Sequence, residues 1–278
     1  MSEDPLVHLP VDRWGEMKNI FRSDMPRSIS GLTILETLEE ILALDLDYGF
    51  KAYCPYGDLS NGMVLINVKN NFIEVVIQTP NDDTQKLEEA LKNTKLIDWT
   101  QEFEVPFAPK HVIDCMMKIN LSKKMNTLKA LTDTFILDKN KPLFDVEIPA
   151  GLTFKLLTLK YVELVDSKWP HRYADSTWYF ELLTKANLGY GLFKDDELIA
   201  WVFIKEMGAL GHLYTLEEHR QKGYGELVLK LISNVLLKQK KYVFAFCVEG
   251  NASAYKLYQK LGFQLSGEAE WCRFIPSS

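Results

Sequence analysis

The sequence predicts a mixed α/β fold carried in two successive units, and three observations predict it. Short strand-like runs alternate with amphipathic helical runs along all 278 residues. The longest wholly apolar runs, such as Leu227-Val228-Leu229, are only a few residues, so the chain buries its apolar residues by folding back on itself. The stretch Lys139 to Gly151, with Lys141-Pro142 and Pro149-Ala150-Gly151, reads as a linker. It divides a first unit, residues 1–145, from a second, residues 146–278.

Between Asp12 and Leu44 two helical patterns are expected, broken by Pro26 and Gly31, the second with Leu35, Leu38, Ile41 and Leu42 on one stripe. Strand-like runs follow at Tyr48 to Tyr53, Met63 to Val68 and Phe72 to Gln78, with turn-rich Pro55-Tyr56-Gly57-Asp58 and Ser60-Asn61-Gly62 between the first two. A helix bearing Leu87 and Leu91 comes next, then the Pro-punctuated stretch Val105 to Pro109. The first unit therefore reads as α+β.

In the second unit the order is strand, two helices, three strands, helix, strand, helix, strand. Leu152 to Leu157 reads as a strand, Tyr161 to Trp169 and Ser176 to Ala186 as helices, and Gly189 to Phe193 as a strand. A hairpin turns at Asp195-Asp196, and alternating Ile199, Trp201 and Phe203 set bulky groups on one face of its second arm. The strand His212 to Leu216 runs through a glycine-containing loop into a helix from Gly225 to Lys238. Strand Tyr242 to Val248, helix Ala252 to Leu261 and strand Gln264 to Phe274 complete the unit. No fixed-period repeat or low-complexity tract is visible.

Composition narrows the function. No segment approaches the roughly 20 apolar residues of a membrane span. The first ten residues include Glu3 and Asp4 and lack both the apolar core of a secretory leader and an Arg-rich amphipathic pattern, which makes the cytoplasm the default compartment. Net charge is −6 and the basic clusters Lys123-Lys124 and Lys238-Gln239-Lys240-Lys241 are short, a poor basis for nucleic-acid binding. Cys54, Cys115, Cys247 and Cys272 form no CxxC pair and are expected as thiols, and the five dispersed histidines give no metal-ligand spacing.

The segment Arg220-Gln221-Lys222-Gly223-Tyr224-Gly225 sits at a strand-to-helix junction. Two glycines two apart let the backbone turn so that consecutive N–H groups converge on one anion. The helix dipole adds roughly half a positive charge, and Arg220 and Lys222 add full ones. The loop is either a pyrophosphate cradle or a plain turn with solvated basic residues. It is neither a P-loop nor a dinucleotide fingerprint, since position 228 is Val where a third glycine would stand. Downstream, Asn251 can cap the helix that carries Ala254, Leu257 and Leu261, and Gly262 is placed to end it.

Taken together, His212 to Val228 and Asn251 to Phe263, at this spacing, resemble the GNAT superfamily of acyl-CoA N-acyltransferases. Within it, Leu213-Tyr214-Thr215-Leu216-Glu217-Glu218-His219-Arg220 looks most like the glycine N-acyltransferase-like branch, with Glu217 in place of a proline. Val162 to Trp169, Ser176 and Trp201 are also similar to that branch. The resemblance covers about 152–275 and implies a GNAT-like second unit, preceded by a related, degenerate α+β unit without the RxxGxG loop.

The resemblance implies an acyl-CoA cosubstrate, acetyl-CoA or similar, with no tightly bound cofactor, and direct transfer to an amine. Its cofactor-binding positions fall on Leu213, Tyr214, Thr215, Arg220, Gln221, Lys222, Gly223, Tyr224, Gly225, Glu226, Asn251 and Ser253. Tyr258 stands where the family places a tyrosine that protonates the departing thiolate, and is otherwise a packed aromatic. The carboxylate that some members carry would fall on Ala209, so the base is open. Glu206, His212 or a held water are the candidates. Cys247 has no His or Asp at a spacing that would activate it. The expected acceptor is a small-molecule amine, an amino acid such as glycine by branch resemblance, with Arg172 as a weak carboxylate contact. A protein amine and a non-catalytic acyl-CoA-binding role are the alternatives. Branch analogy alone adds a mitochondrial location.

Overall fold

In the computed structural model, residues 3–69 and 72–277 are described. The first half runs β1 (Leu6–His8), α1 (Trp14–Ser23), α2 (Ile29–Leu42), β2 (Lys51–Pro55), β3 (Met63–Lys69), β4 (Phe72–Gln78), α3 (Gln85–Asn93), β5 (Phe103–Pro109), α4 (Lys110–Lys123) and β6 (Asn126–Leu137). The second half repeats the order: β7 (Leu152–Leu156), α5 (Val162–Ser167), α6 (Thr177–Lys185), β8 (Gly189–Lys194), β9 (Glu197–Ile204), β10 (Leu210–Thr215), α7 (Tyr224–Lys238), β11 (Val243–Val248), α8 (Ala252–Lys260) and β12 (Gln264–Ile275). The repeat is one of structure, invisible as sequence periodicity.

All twelve strands form one sheet in the order β1-β2-β3-β4-β5-β12-β6-β11-β10-β9-β8-β7. The order maps onto itself when the halves are interchanged. The last strand of each half is exchanged, for β12 pairs with β5 and β6 pairs with β11. The two exchanged strands also pair with each other along their full length, from Gln264↔Ile136 to Ile275↔Asn126. The segment between β6 and β7, read as a linker, is tied down where Asn234 of α7 bonds both the N–H and the C=O of Phe144, at 2.8 and 2.9 Å.

Two elements differ from the sequence expectation for identifiable reasons. Gly31 lies inside α2 rather than ending it: a Cβ there would sit 2.8 Å from the Phe21 ring, so the glycine lets α1 pack close against α2. The Pro-punctuated stretch is strand β5. Its missing ladder bond at Pro106 is absorbed where the β12–β5 register shifts between Glu270 and Cys272, beside Phe107 at φ 45°. Residues 110–137 add α4 and β6, which no simple period announced.

Two cores cover the sheet's faces. One spans both halves, with Trp14, Phe21, Leu35, Phe180, Phe203, Val228 and Ile232 among its members. The other gathers Val64, Val75, Leu91, Val105, Met116 and Phe274. Val228, Leu229, Ile232 and Leu236 of α7 are fully buried, each stabilising the helix by about 2 kcal/mol. That burial fixes where the N-terminus of α7 points.

Candidate active site

Strand β10 pairs with β11 in parallel only at Leu210↔Ala245. Beyond that point Tyr214 and Thr215 pair with Trp201 and Ala200 of β9, while Phe246 to Val248 pair with β6. The two strands diverge. The break begins at a bulge between Gly211 and Tyr214, where His212 has φ 53°. On the β11 side the backbone of Leu213 to Thr215 has no neighbouring strand among the described residues, an open edge for an extended ligand.

The chain next makes a short 3-10 turn, Glu217–His219, and enters α7 through Gln221 at φ 61° and Gly223 at φ 79°. Left-handed residues flanking Lys222 give the concave backbone that gathers N–H groups around an anion. A Cβ on Gly223 would meet nothing within 4 Å, and one on Gly225 only Thr215 Oγ1 at 3.7 Å. The ground above both glycines is therefore open. Arg220 lies across it, its Nε donating to Thr215 O at 3.2 Å and its guanidinium 5.2 Å from the Tyr214 ring, which stacks on Trp201. Lys222 Nζ donates to Glu218 O at 2.9 Å. These residues fit a pyrophosphate.

The equivalent junction of the first half precedes α3 with Asn81-Asp82-Asp83-Thr84. Two aspartates replace the basic residues, so that helix start repels a pyrophosphate. Glu226, in the first turn of α7, pairs with Lys260 at 2.5 Å and Lys230 at 2.9 Å; the two ammonium groups hold its carboxyl below the usual range and tie α7 to α8. Asn251 Oδ1 accepts from Ala254 N at 3.1 Å, capping α8, with Ser253 exposed beside it.

Tyr258 is buried against Phe135 and Phe263, ring centres 5.4 Å away in each case. Burial, reinforced by the nearby Cys247 thiol, pushes its hydroxyl pKa up, so it stays protonated. Among the described residues nothing hydrogen-bonds that hydroxyl. All four cysteines are free and buried, and burial raises the Cys247 pKa, with Asp133 adding to it. That is the reverse of an activated thiolate.

At the bulge the structure gathers a cluster from both halves. His212 Nε2 lies 3.2 Å from Tyr179 Oη, and Tyr179 donates to Glu206 Oε2 at 2.7 Å. Because Tyr179 gives its proton to Glu206, its oxygen accepts from His212 Nε2–H, which assigns the tautomer. Burial, then the Lys205 charge, lowers the His212 pKa to about 3, so the imidazole is neutral. Glu206 is 2% exposed. Tyr48 donates to Glu74 Oε2 at 3.1 Å, and the Tyr48 and Tyr179 rings meet edge to face at 6.3 Å. Burial, followed by the charge of Glu206, pushes the Glu74 carboxyl well above its ordinary range. Trp169, Tyr173 and Trp178 stand half-buried at the rim, on the α5–α6 connection. Its fold is held by Ser176 Oγ donating to Asp166 at 2.5 Å and by Arg172 paired with the same carboxylate at 3.3 Å.

Sequence reasoning reached Glu206, His212, Tyr258 and the loop but not Tyr48, Asn67, Glu74 or Tyr179. A signal existed for two of them: Glu74 and Asn67 interrupt the apolar runs of β4 and β3, where an uncompensated polar group costs several kcal/mol. The tyrosines carry no such mark. Elsewhere, Glu197, Glu218 and His219 bring donor atoms within 4.8 Å of one another; two exposed carboxylates in solvent make this a weak cation site. No helix among the described residues is long and apolar enough to cross a membrane.

Residues 188–272 match the family model described as FR47-like protein. Over 154 residues the chain is 28% identical to the spermine/spermidine N(1)-acetyltransferase of Bacillus subtilis, covering 52% of this chain and 91% of that one. The X-ray structure of a Drosophila protein from structural genomics matches with a TM-score of 0.86 at 19% identity, covering 99% of this chain and all of that one. A GCN5-related N-acetyltransferase from Sphaerobacter thermophilus matches at 0.59 and 12% identity, covering 100% and 98%. The structural matches speak to fold: a mixed sheet with the GNAT arrangement.

Proposed function

The protein is an acyl-CoA-dependent N-acyltransferase of the GNAT type, and we propose that it moves an acetyl or other short acyl group to the amine of a small molecule by direct attack. The observation that carries this reading is the open edge at Leu213 to Thr215, running into the cradle of Gln221 to Gly225. Coenzyme A pairs its pantetheine with that edge and its pyrophosphate with the N-terminus of α7. Arg220, Lys222, Tyr224 and the Asn251–Ser253 turn surround it.

In the transfer, the amine lone pair attacks the thioester carbonyl, the carbon–sulfur bond breaks, and the thiolate takes a proton. Tyr258, protonated and without a hydrogen-bond partner, is the donor. A backbone N–H of the open edge stabilises the oxyanion. The amine's proton leaves toward Glu206 through His212 and Tyr179. An imidazolium is disfavoured at His212, so the imidazole relays the proton and Glu206 keeps it. The amines in the Bacillus relative's name are compatible with this acceptor class; the glycine-like branch rests on the sequence resemblance alone.

The test mixes the protein with acetyl-, benzoyl- and longer acyl-CoAs and an amine panel and follows free thiol. Amine-dependent release is expected. Binding of the thioesters without release on any amine would sink the catalytic reading and leave a binding module.

A further inference from the structure

The polar groups around the buried tyrosines are short of donors. Asn67 is 1% exposed and its Oδ1 has no hydrogen-bond partner, while its Nδ2 donates to Tyr48 O at 3.2 Å. Asn67 stands directly opposite Glu74 in the β3–β4 ladder, so both side chains leave the same face of the sheet. Tyr48 occupies only Oε2 of Glu74, and Tyr179 only Oε2 of Glu206. Among the described residues the Oε1 atom of each glutamate accepts no hydrogen bond. Three acceptor groups thus surround the contact between Tyr48 and Tyr179.

The nearby cations do not fill this deficit. Lys69 Nζ lies over the Trp178 ring at 5.2 Å, and Lys205 Nζ over Phe107 at 4.3 Å. Neither lysine pairs with Glu74, Glu206 or Asn67 Oδ1 among the described residues. Arg172, the one arginine considered for an acceptor carboxylate, is paired with Asp166. Aromatic faces at Tyr48, Trp178 and Tyr179, beside unfilled acceptors, form a lining that attracts a cation. Its other wall reaches His212, next to the edge proposed above for the thioester.

We propose that the acceptor is an alkyldiamine or related amine with a second, cationic nitrogen, held by Glu74 and Asn67 of the first half while its other nitrogen is acylated beside His212. This rests on the transferase reading and deepens it. An ammonium supplies three donors, enough for Asn67 Oδ1 and the free oxygens of the two glutamates. An amino-acid carboxylate would lie against the same oxygens and be repelled. The first half, which lacks a coenzyme cradle, thereby sets specificity for the second.

The experiment measures calorimetric binding of 1,4-diaminobutane and of glycine to the full chain in the presence of coenzyme A, and turnover of each with acetyl-CoA. Wild type is expected to bind the diamine and to prefer it over glycine. Glu74→Gln should raise the diamine's Kd and KM by about tenfold or more, the usual worth of a hydrogen bond to a charged group. Acetyl-CoA affinity should be unchanged, showing that the variant is folded. Glu74→Asp should recover part of the loss, and Tyr48→Phe, which removes the hydroxyl orienting Glu74, should raise KM more than it lowers kcat. Equal diamine affinity in wild type and Glu74→Gln, or a preference for glycine, would overturn the inference while leaving the transferase reading intact. Diamine binding that depends on Glu74 but yields no thiol release would support the binding site and overturn the transferase reading instead.

Discussion

Tyr258 and Glu104 show the same force, burial, giving two different outcomes. For Tyr258 a raised pKa keeps the hydroxyl ready to protonate a thiolate at every physiological pH. Tyr258→Phe keeps the ring packing on Phe135 and Phe263, so kcat should fall by about 10²-fold with acetyl-CoA affinity unchanged; an unaltered kcat would remove the residue from the chemistry. Glu104 has its pKa pushed up to about 7, mainly by burial and against the pull of Arg273. In the unfolded chain it ionises near 4.5. Between those values the folded state binds more protons, so this residue lowers stability as pH rises from about 4.5 to about 7. Glu104→Gln removes that loss. Its denaturation midpoint, compared with wild type, should improve more at about pH 8 than at about pH 5, and an improvement greater at the lower pH would contradict the assignment.

The turn into α7 is the element on which cosubstrate binding depends. At Gly223, with φ 79°, an L side chain costs about 1–2 kcal/mol, and a β-branched one also covers the open cradle. Gly223→Val should therefore weaken acetyl-CoA binding at least tenfold by titration calorimetry and lower the melting temperature. Preserved affinity would show that the anion sits elsewhere. This junction was legible in the sequence because its requirements are local: two glycines, basic neighbours and an apolar stripe from Leu227 onward. Asn251 was legible for the same reason, and its capping role appears in the bond to Ala254. Strand β5 was harder, since its prolines mimic a loop and only the bulge opposite Glu270 reconciles them with a ladder. The cluster of Tyr48, Asn67, Glu74, Tyr179, Glu206 and His212 draws on five separate regions, and no local period can announce such a meeting.

Across the molecule, the halves share an element order and trade their last strands. Residues 146–278 alone would leave the edge of β11 without β6, exposing a ladder from Val243 to Val248. That fragment should not form a stable monomer, and adding residues 1–145 should restore native circular dichroism; a folded monomer on size exclusion would contradict this. The exchange also explains how Glu74, on β4, comes to face His212, on β10, across one continuous sheet. The central claim concerns what passes through that meeting point, and following isotope-labelled acetyl-CoA by mass spectrometry tests it most directly. The account predicts label on the nitrogen of a small amine in proportion to thiol released. Label that stays in acetyl-CoA, or ends on the protein itself, would contradict it.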